Sequence, residues 1–222
     1  MTSNSDIRPS ASVIVLRPSE DGFEILLLKR NATLSFAPNF WVFPGGKIEE
    51  SDYRDGDGEL DAAYHAARRE CEEEAAISDI GEMFYLSTWT APVAAKRRFR
   101  THLFVAFVVA GTSFTVDGSE IVEGHWVSLP EAVEKASRGE FLMMPPTIVS
   151  VMDLNDNNDP HRMMAFLEDR PYFDYAPKIF FTDEGMWALY PGDSGWESGD
   201  ISLQDKQHRL LRHPDKSYSY IK

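Results

Sequence analysis

From Leu60 to Ile77 the chain contains no glycine or proline and is dominated by Ala, Glu and Arg. By propensity this stretch is a helix, and Asp61 near its start suits the N-terminal dipole. At 3.6 residues per turn, Glu70, Glu73 and Glu74 share one face while Glu72 points roughly the opposite way. Tyr64, Ala67, Cys71 and Ala75 form a second, apolar stripe able to pack on a sheet. Like charges four residues apart destabilise an isolated helix by roughly 0.2–0.5 kcal/mol per pair. Three converging carboxylates therefore want a counter-charge, and hard cations such as Mg²⁺ or Mn²⁺ prefer oxygen ligands of this kind. A Glu-rich face alone is more often just solvated, so the surrounding residues decide what this one means. Arg69 precedes the first glutamate, where a guanidinium can orient carboxylates bidentately.

The elements before the helix read as β structure. Ser12–Arg17 and Glu24–Arg30 are apolar runs separated by Ser19-Glu20-Asp21-Gly22, the pattern of a hairpin. Phe40–Phe43 reads as a short strand stopped by Pro44-Gly45-Gly46, whose glycines can bring backbone close to the helix. The polar segment Glu49–Glu59 reads as an exposed loop. Later strands are expected over Met83–Thr90, Arg98–Val109 and Ile121–Ser128, the second of them central. Short helices follow over Pro130–Gly139 and from Pro146 to about Leu154. Asn155–Pro160 (NDNNDP) is a breaker, and residues 161–222 lack sustained periodicity and read as an appendage.

Phe43-Pro44-Gly45-Gly46-Lys47-Ile48-Glu49, with Arg69-Glu70-Cys71-Glu72-Glu73-Glu74-Ala75-Ala76-Ile77, resembles the Nudix box. That family pattern is glycine, five residues, glutamate, seven residues, then Arg-Glu-apolar-x-Glu-Glu-x-Gly-apolar. The resemblance implies an α/β/α sandwich with a mixed central sheet over 11–154; residues 155–222 lie outside it and read, from the breaker and their composition, as a C-terminal extension packed upon it. It also implies Glu70, Glu73 and Glu74 as metal ligands, with the Gly45 or Gly46 carbonyl completing the site. Arg69 would orient the glutamates. Two residues depart from the pattern: Asp61 stands in the first-glutamate slot when counted back from the arginine, and Ala76 replaces the late glycine. The acidic segment between Gly46 and Asp61 then reads as an insertion.

Phe36-Ala37-Pro38, the spacer containing Asp52, Trp89-Thr90-Ala91-Pro92, Arg98–Phe104 and Met144-Pro145-Pro146-Thr147 are similar to the Nudix branch that includes peroxisomal-type coenzyme A diphosphatases. The implied activity is metal-dependent hydrolysis of a phosphoanhydride in a nucleoside-diphosphate-linked compound, with coenzyme A or an acyl-CoA among the candidates. The general base is expected at Glu73 or Glu74, or at Glu120 or Glu123 beside a later strand. Lys47 is a candidate to meet a phosphate. Trp41, Trp89 and Phe99 are candidates to stack on a base, with core packing the alternative for each. His65 falls off the carboxylate face, and Cys71 in the apolar stripe reads as structural.

The formal net charge of −14 argues against nucleic-acid binding. One cysteine excludes an internal disulfide, so a reducing, cytoplasmic setting is expected. No secretory leader is visible at the start, and no apolar run is long enough to span a bilayer. A calcium loop beginning at Asp55 fails on spacing, because Leu60 and Ala66 stand where glycine and glutamate would be needed. The rival reading is a non-catalytic nucleotide-binding sensor, and a homodimer is left open.

Overall fold

The computed structural model describes residues 7–95 and 97–222. Residues 1–6, which carry part of the expectation about a secretory leader, lie outside the described residues. The expected hairpin is present: β1 (Ile7–Ser19) and β2 (Gly22–Arg30) pair antiparallel from Leu16↔Ile25 to Ser19↔Gly22. Beyond that point the two strands separate. The gap is filled by β3 (Trp41–Val42), which pairs with β2 at Leu28 and Lys29, and by β4 (Gly45–Lys47), which pairs with β1 at Ser10–Ser12. Pro44-Gly45-Gly46 is thus not only a strand stop, because Gly45 and Gly46 are themselves sheet residues.

On its other edge β1 runs parallel to β6 (Arg98–Phe107), and β6 is antiparallel to β5 (Met83–Thr90). β7 (Ile121–Ser128) pairs antiparallel with β2. The sheet is mixed and β6 lies inside it, as expected.

Alternation along the strands separates two cores. Val13, Val15, Leu26 and Leu28 face α1 (Glu59–Ala75), which buries Ala63, Ala66, Ala67, Cys71 and Ala75 against them. These small side chains let the helix axis lie close to the sheet. Ile14, Leu16, Ile25 and Leu27 face α2 (Leu129–Ser137) and α3 (Pro145–Asp156). The architecture is the α/β/α sandwich that the sequence suggests.

The remaining chain is more regular than its composition implies. Asp159 caps α4 (Pro160–Asp169) by accepting from the His161 and Arg162 amides. β8 (Asp174–Tyr175) joins the main sheet parallel to β5, and Tyr175 stacks on Trp89 with ring centroids 3.8 Å apart. β9 (Lys178–Thr182), β10 (Gly185–Leu189), β11 (Arg209–Arg212) and β12 (Tyr218–Ile221) form a separate antiparallel sheet. A buried Arg209–Asp193 fork at 2.7 Å pins it, and Arg209 also donates to the Ile201 and Leu203 carbonyls. These contacts were invisible to a periodicity search, which sees only local spacing. Among the described residues no helix is long and apolar enough to cross a membrane.

Candidate active site

The split between β1 and β2 places Gly45 and Gly46 directly against α1. The Gly45 amide donates to Glu74 Oε2 at 3.0 Å. A Cβ on Gly46 would come within 2.2 Å of Glu70 Oε1, and one on Gly45 within 2.5 Å of the Ala11 carbonyl oxygen. Both positions therefore require glycine so that β4 can lie on β1 while the two carboxylates rest on β4.

Burial raises the Glu70 carboxyl above its usual range despite the adjacent Arg69, and Glu73 and Glu49 reinforce the rise. Burial pushes Glu74 up to about 8. The Gly45 amide and the charge of Arg30 oppose that shift, while Glu70 and Glu120 add to it. Glu73 differs: its side chain is 57% exposed, against 7% exposure for Glu74. The shared helical face read from the sequence thus divides into an inward pair and an outward third member. Among the described residues no three His, Cys, Asp or Glu side chains are gathered closely enough to hold an ion.

While the Gly45 amide holds Glu74, Arg69 links Glu70 and Glu73 to the backbone. Its Nη1 donates to Glu70 Oε1 at 2.9 Å and to Glu73 Oε2 at 3.0 Å, and its Nη2 donates to the Lys47 carbonyl at 3.1 Å. Its far side is held by Asp52, which accepts from Nε at 3.0 Å and from Nη2 at 2.9 Å. Asp52 is buried, yet its carboxyl sits below the usual range, because Arg69 and the Glu49 amide outweigh the cost of burial. The same contacts raise the Arg69 pKa further.

This corrects the reading of Glu49–Glu59 as a merely exposed loop. It also moves the first acid of the motif. Asp61 accepts from the Gly58 amide at 3.0 Å and starts the helix, whereas Asp52 holds Arg69. Counting five residues on from Gly46, instead of back from Arg69, reaches Asp52, so the inserted segment follows this acid. Spacing alone admits both acids, Asp52 counted on from Gly46 and Asp61 counted back from Arg69, and only the fold of the segment chooses between them.

The proposed stacking platforms are corrected too. Trp41 is buried between Phe141 and His125, with Lys29 over its ring. Trp89 is buried under Tyr175. Both rings are spent on the core, so neither offers a free face. Phe99 packs on Phe36. The Lys47 side chain is exposed, while its carbonyl serves Arg69.

Glu120 and Glu123 are separated by the sheet. Glu123 is paired with Lys29 at 2.9 Å and with His125, and these two hold its carboxyl below the usual range. It lies with Trp41 on the face opposite α1. Glu120 lies near Arg30, at 3.6 Å, and its charge reaches Glu74. His65 lies 3.5 Å from Asp57, and Cys71 is buried in the helix stripe with its thiol pushed up to about 12 by burial.

Residues 6–145 match the family described as NUDIX domain. Nudix hydrolase 7 of Caenorhabditis elegans is 26% identical over 191 residues, covering 70% of this chain and 63% of that protein. An acyl-coenzyme A diphosphatase of Xenopus laevis is 43% identical over 47 residues, or 21% of this chain and 12% of that protein. The chain therefore spans less than two thirds of either relative. A crystal structure of a NUDIX hydrolase from Alicyclobacillus acidocaldarius shares the fold with a TM-score of 0.68 at 20% identity, covering 76% of this chain and all of that one.

Proposed function

The chain belongs to the NUDIX family, and from that premise we propose that it is a divalent-metal-dependent hydrolase of a phosphoanhydride in a nucleoside-diphosphate-linked compound. The observation that carries this reading is the pair of buried carboxylates, Glu70 and Glu74, laid on the glycine strand and braced by Arg69. Two acids driven above their usual range by burial gain most from a nearby cation. Their oxygens, in a cradle that a Cβ at Gly46 would fill, fit a hard ion such as Mg²⁺ or Mn²⁺. Glu70, Glu73 and Glu74, with the carbonyl of Gly45 or Gly46, would hold it.

When bound, the cation neutralises charge on the diphosphate and makes a water more acidic. The chain's own residues do the rest. Arg69, fixed by Asp52 and the Lys47 carbonyl, keeps Glu70 and Glu73 oriented. Glu120, on the α1 side of the sheet, accepts the proton of the attacking water. Glu123, held by Lys29 and His125 on the other face, does not. Water adds across the P–O–P bond, leaving a phosphate monoester on each product. Exposed Lys47 beside the glycines meets a phosphate of the substrate.

Coenzyme A or an acyl-CoA is the compound class we favour, supported by the local similarity to an acyl-coenzyme A diphosphatase. A reducing, cytoplasmic setting suits a chain with one cysteine. The test is a product screen, with the two phosphate monoesters separated by chromatography, run with Mg²⁺ or Mn²⁺ on coenzyme A, acyl-CoA, ADP-ribose, NADH and nucleotide sugars beside Glu73→Gln and Glu74→Gln. Metal-dependent cleavage that both substitutions abolish supports the proposal. Nucleotide binding without turnover of any compound would replace it with the sensor reading.

A further inference from the structure

Arg30 ends β2 on the same face of the sheet as Glu74, since Leu26 and Leu28 of that strand pack beneath α1 and Ile121, its cross-strand partner, does too. It stands where β1 and β2 part to admit Gly45. Its side chain is 15% exposed, whereas that of Glu120, the acid beside it, is 61% exposed. The guanidinium spends Nε on the Phe36 carbonyl at 3.3 Å, and Nη2 lies 3.6 Å from Glu120. Among the described residues no other acceptor is within hydrogen-bonding distance of it, so the Nη1 and Nη2 fork is largely unspent. A mostly enclosed arginine with free donors, its charge reaching the buried Glu74, is placed for a ligand carrying its own negative charge. Planar, bidentate donors of this kind match phosphate oxygens.

We propose that Arg30 binds a phosphate of the substrate diphosphate, opposite the side gripped through Glu70 and Glu74, and that the ligand displaces Glu120 from it. The inference builds on the hydrolase reading and adds to it a substrate-binding residue. Exchange of Glu120 for phosphate also frees that carboxylate to receive a proton. The charge of Arg30 already reaches Glu74, where it opposes the rise caused by burial.

The alternative is that Arg30 serves only to offset Glu74. Calorimetry separates the two, using inorganic pyrophosphate and ADP with Mg²⁺ on the wild type, Arg30→Ala and Arg30→Lys. Thermal melting establishes that each variant is folded. Loss of a charged hydrogen-bonded contact is expected to weaken both probes about ten- to a hundred-fold in Arg30→Ala. Arg30→Lys should recover part of that loss, and if Arg30→Ala does not fold, a weakening of about tenfold in Arg30→Lys decides the matter. On any substrate the wild type cleaves, KM should rise far more than kcat falls. Unchanged affinity in the variants, with only a shifted pH profile, overturns the assignment, as does a wild type that binds neither probe. Arg30-dependent binding without hydrolysis of any compound would uphold the assignment and overturn the hydrolase reading instead.

Discussion

A guanidinium shared among several acceptors can orient carboxylates only while its own far side is fixed, and Asp52 does this for Arg69. Truncating Asp52 leaves Arg69 facing a buried gap, so Asp52→Ala should cost about 2–3 kcal/mol of stability and lower metal-dependent turnover about 10- to 100-fold. Asp61→Ala should cost only about 0.5–1 kcal/mol, by uncapping the Gly58 amide, and leave turnover unchanged. Urea denaturation and kinetics on both variants test this, and equal losses of activity would sink the distinction. Glu74 adds a dependence on pH. Burial pushes its carboxyl from the usual 4.5 up to about 8 in the folded state, so the metal-free fold favours the protonated form. The stability it contributes is present below about 4.5 and is lost as pH rises through about 8, at roughly 1 kcal/mol per pH unit across that window. Glu74→Gln, whose amide oxygen can still accept from Gly45, should flatten that slope in denaturation curves taken with chelator. The three glutamates and Arg69 were legible because their spacing alone marks them. The Asp52 and Arg30 contacts were not, because each depends on a loop folding back, the first onto α1 and the loops carrying Phe36 and Glu120 onto the end of β2.

At the level of elements, α1 shows what local chemistry can specify. Alanine and glutamate favour the helix, the Gly58–Asp61 contact starts it, and Ala76 ends it in the left-handed region at φ 54°. An L-residue with a Cβ is strained there, which is why the family pattern has glycine at this place. Ala76→Gly should therefore raise stability by about 1 kcal/mol, measured as a higher denaturation midpoint at unchanged slope. A lower midpoint would show that the strain is absorbed elsewhere. The start of α1 is also tied across the sheet. Glu59 accepts from His102 Nε2 at 2.9 Å, and Tyr85 meets His102 Nδ1 at 2.9 Å. Tyr85 also contacts Thr88, which accepts from Tyr172 at 2.8 Å. With the His102 Nε2 hydrogen on Glu59 and Nδ1 accepting from Tyr85, every hydrogen in this chain points from Tyr172 toward Glu59. It runs from the segment after α4 to the first turn of the box helix. No spacing rule could assemble it, because its members come from four separate stretches of sequence.

For the whole molecule, the decisive feature is that the C-terminal region shares the main core. Met163, Leu167, Tyr175, Tyr190, Leu210 and Tyr218 belong to the same buried cluster as Leu86, Trp89 and Val149. The Tyr218 hydroxyl closes on both the amide and the carbonyl of Met143. The terminal sheet should therefore unfold with the rest. Arg209→Ala, which strands a buried Asp193, is expected to cost about 3–5 kcal/mol and to lower the melting temperature in a single transition. Two separated transitions in calorimetry would show an independent unit. The sequence by itself determined the mixed α/β class, the helix that carries Arg69 and the glutamates, and the glycines before it. These follow from propensity, periodicity and spacing, all of them local properties. Tertiary structure alone decided that Glu73 turns outward while Glu74 is buried. It also decided that Trp41 and Trp89 are core, that Asp52 and not Asp61 holds Arg69, and that Arg30 faces the site. Each of these depends on which distant backbone fills the space beside a residue, and one-dimensional spacing carries no record of that.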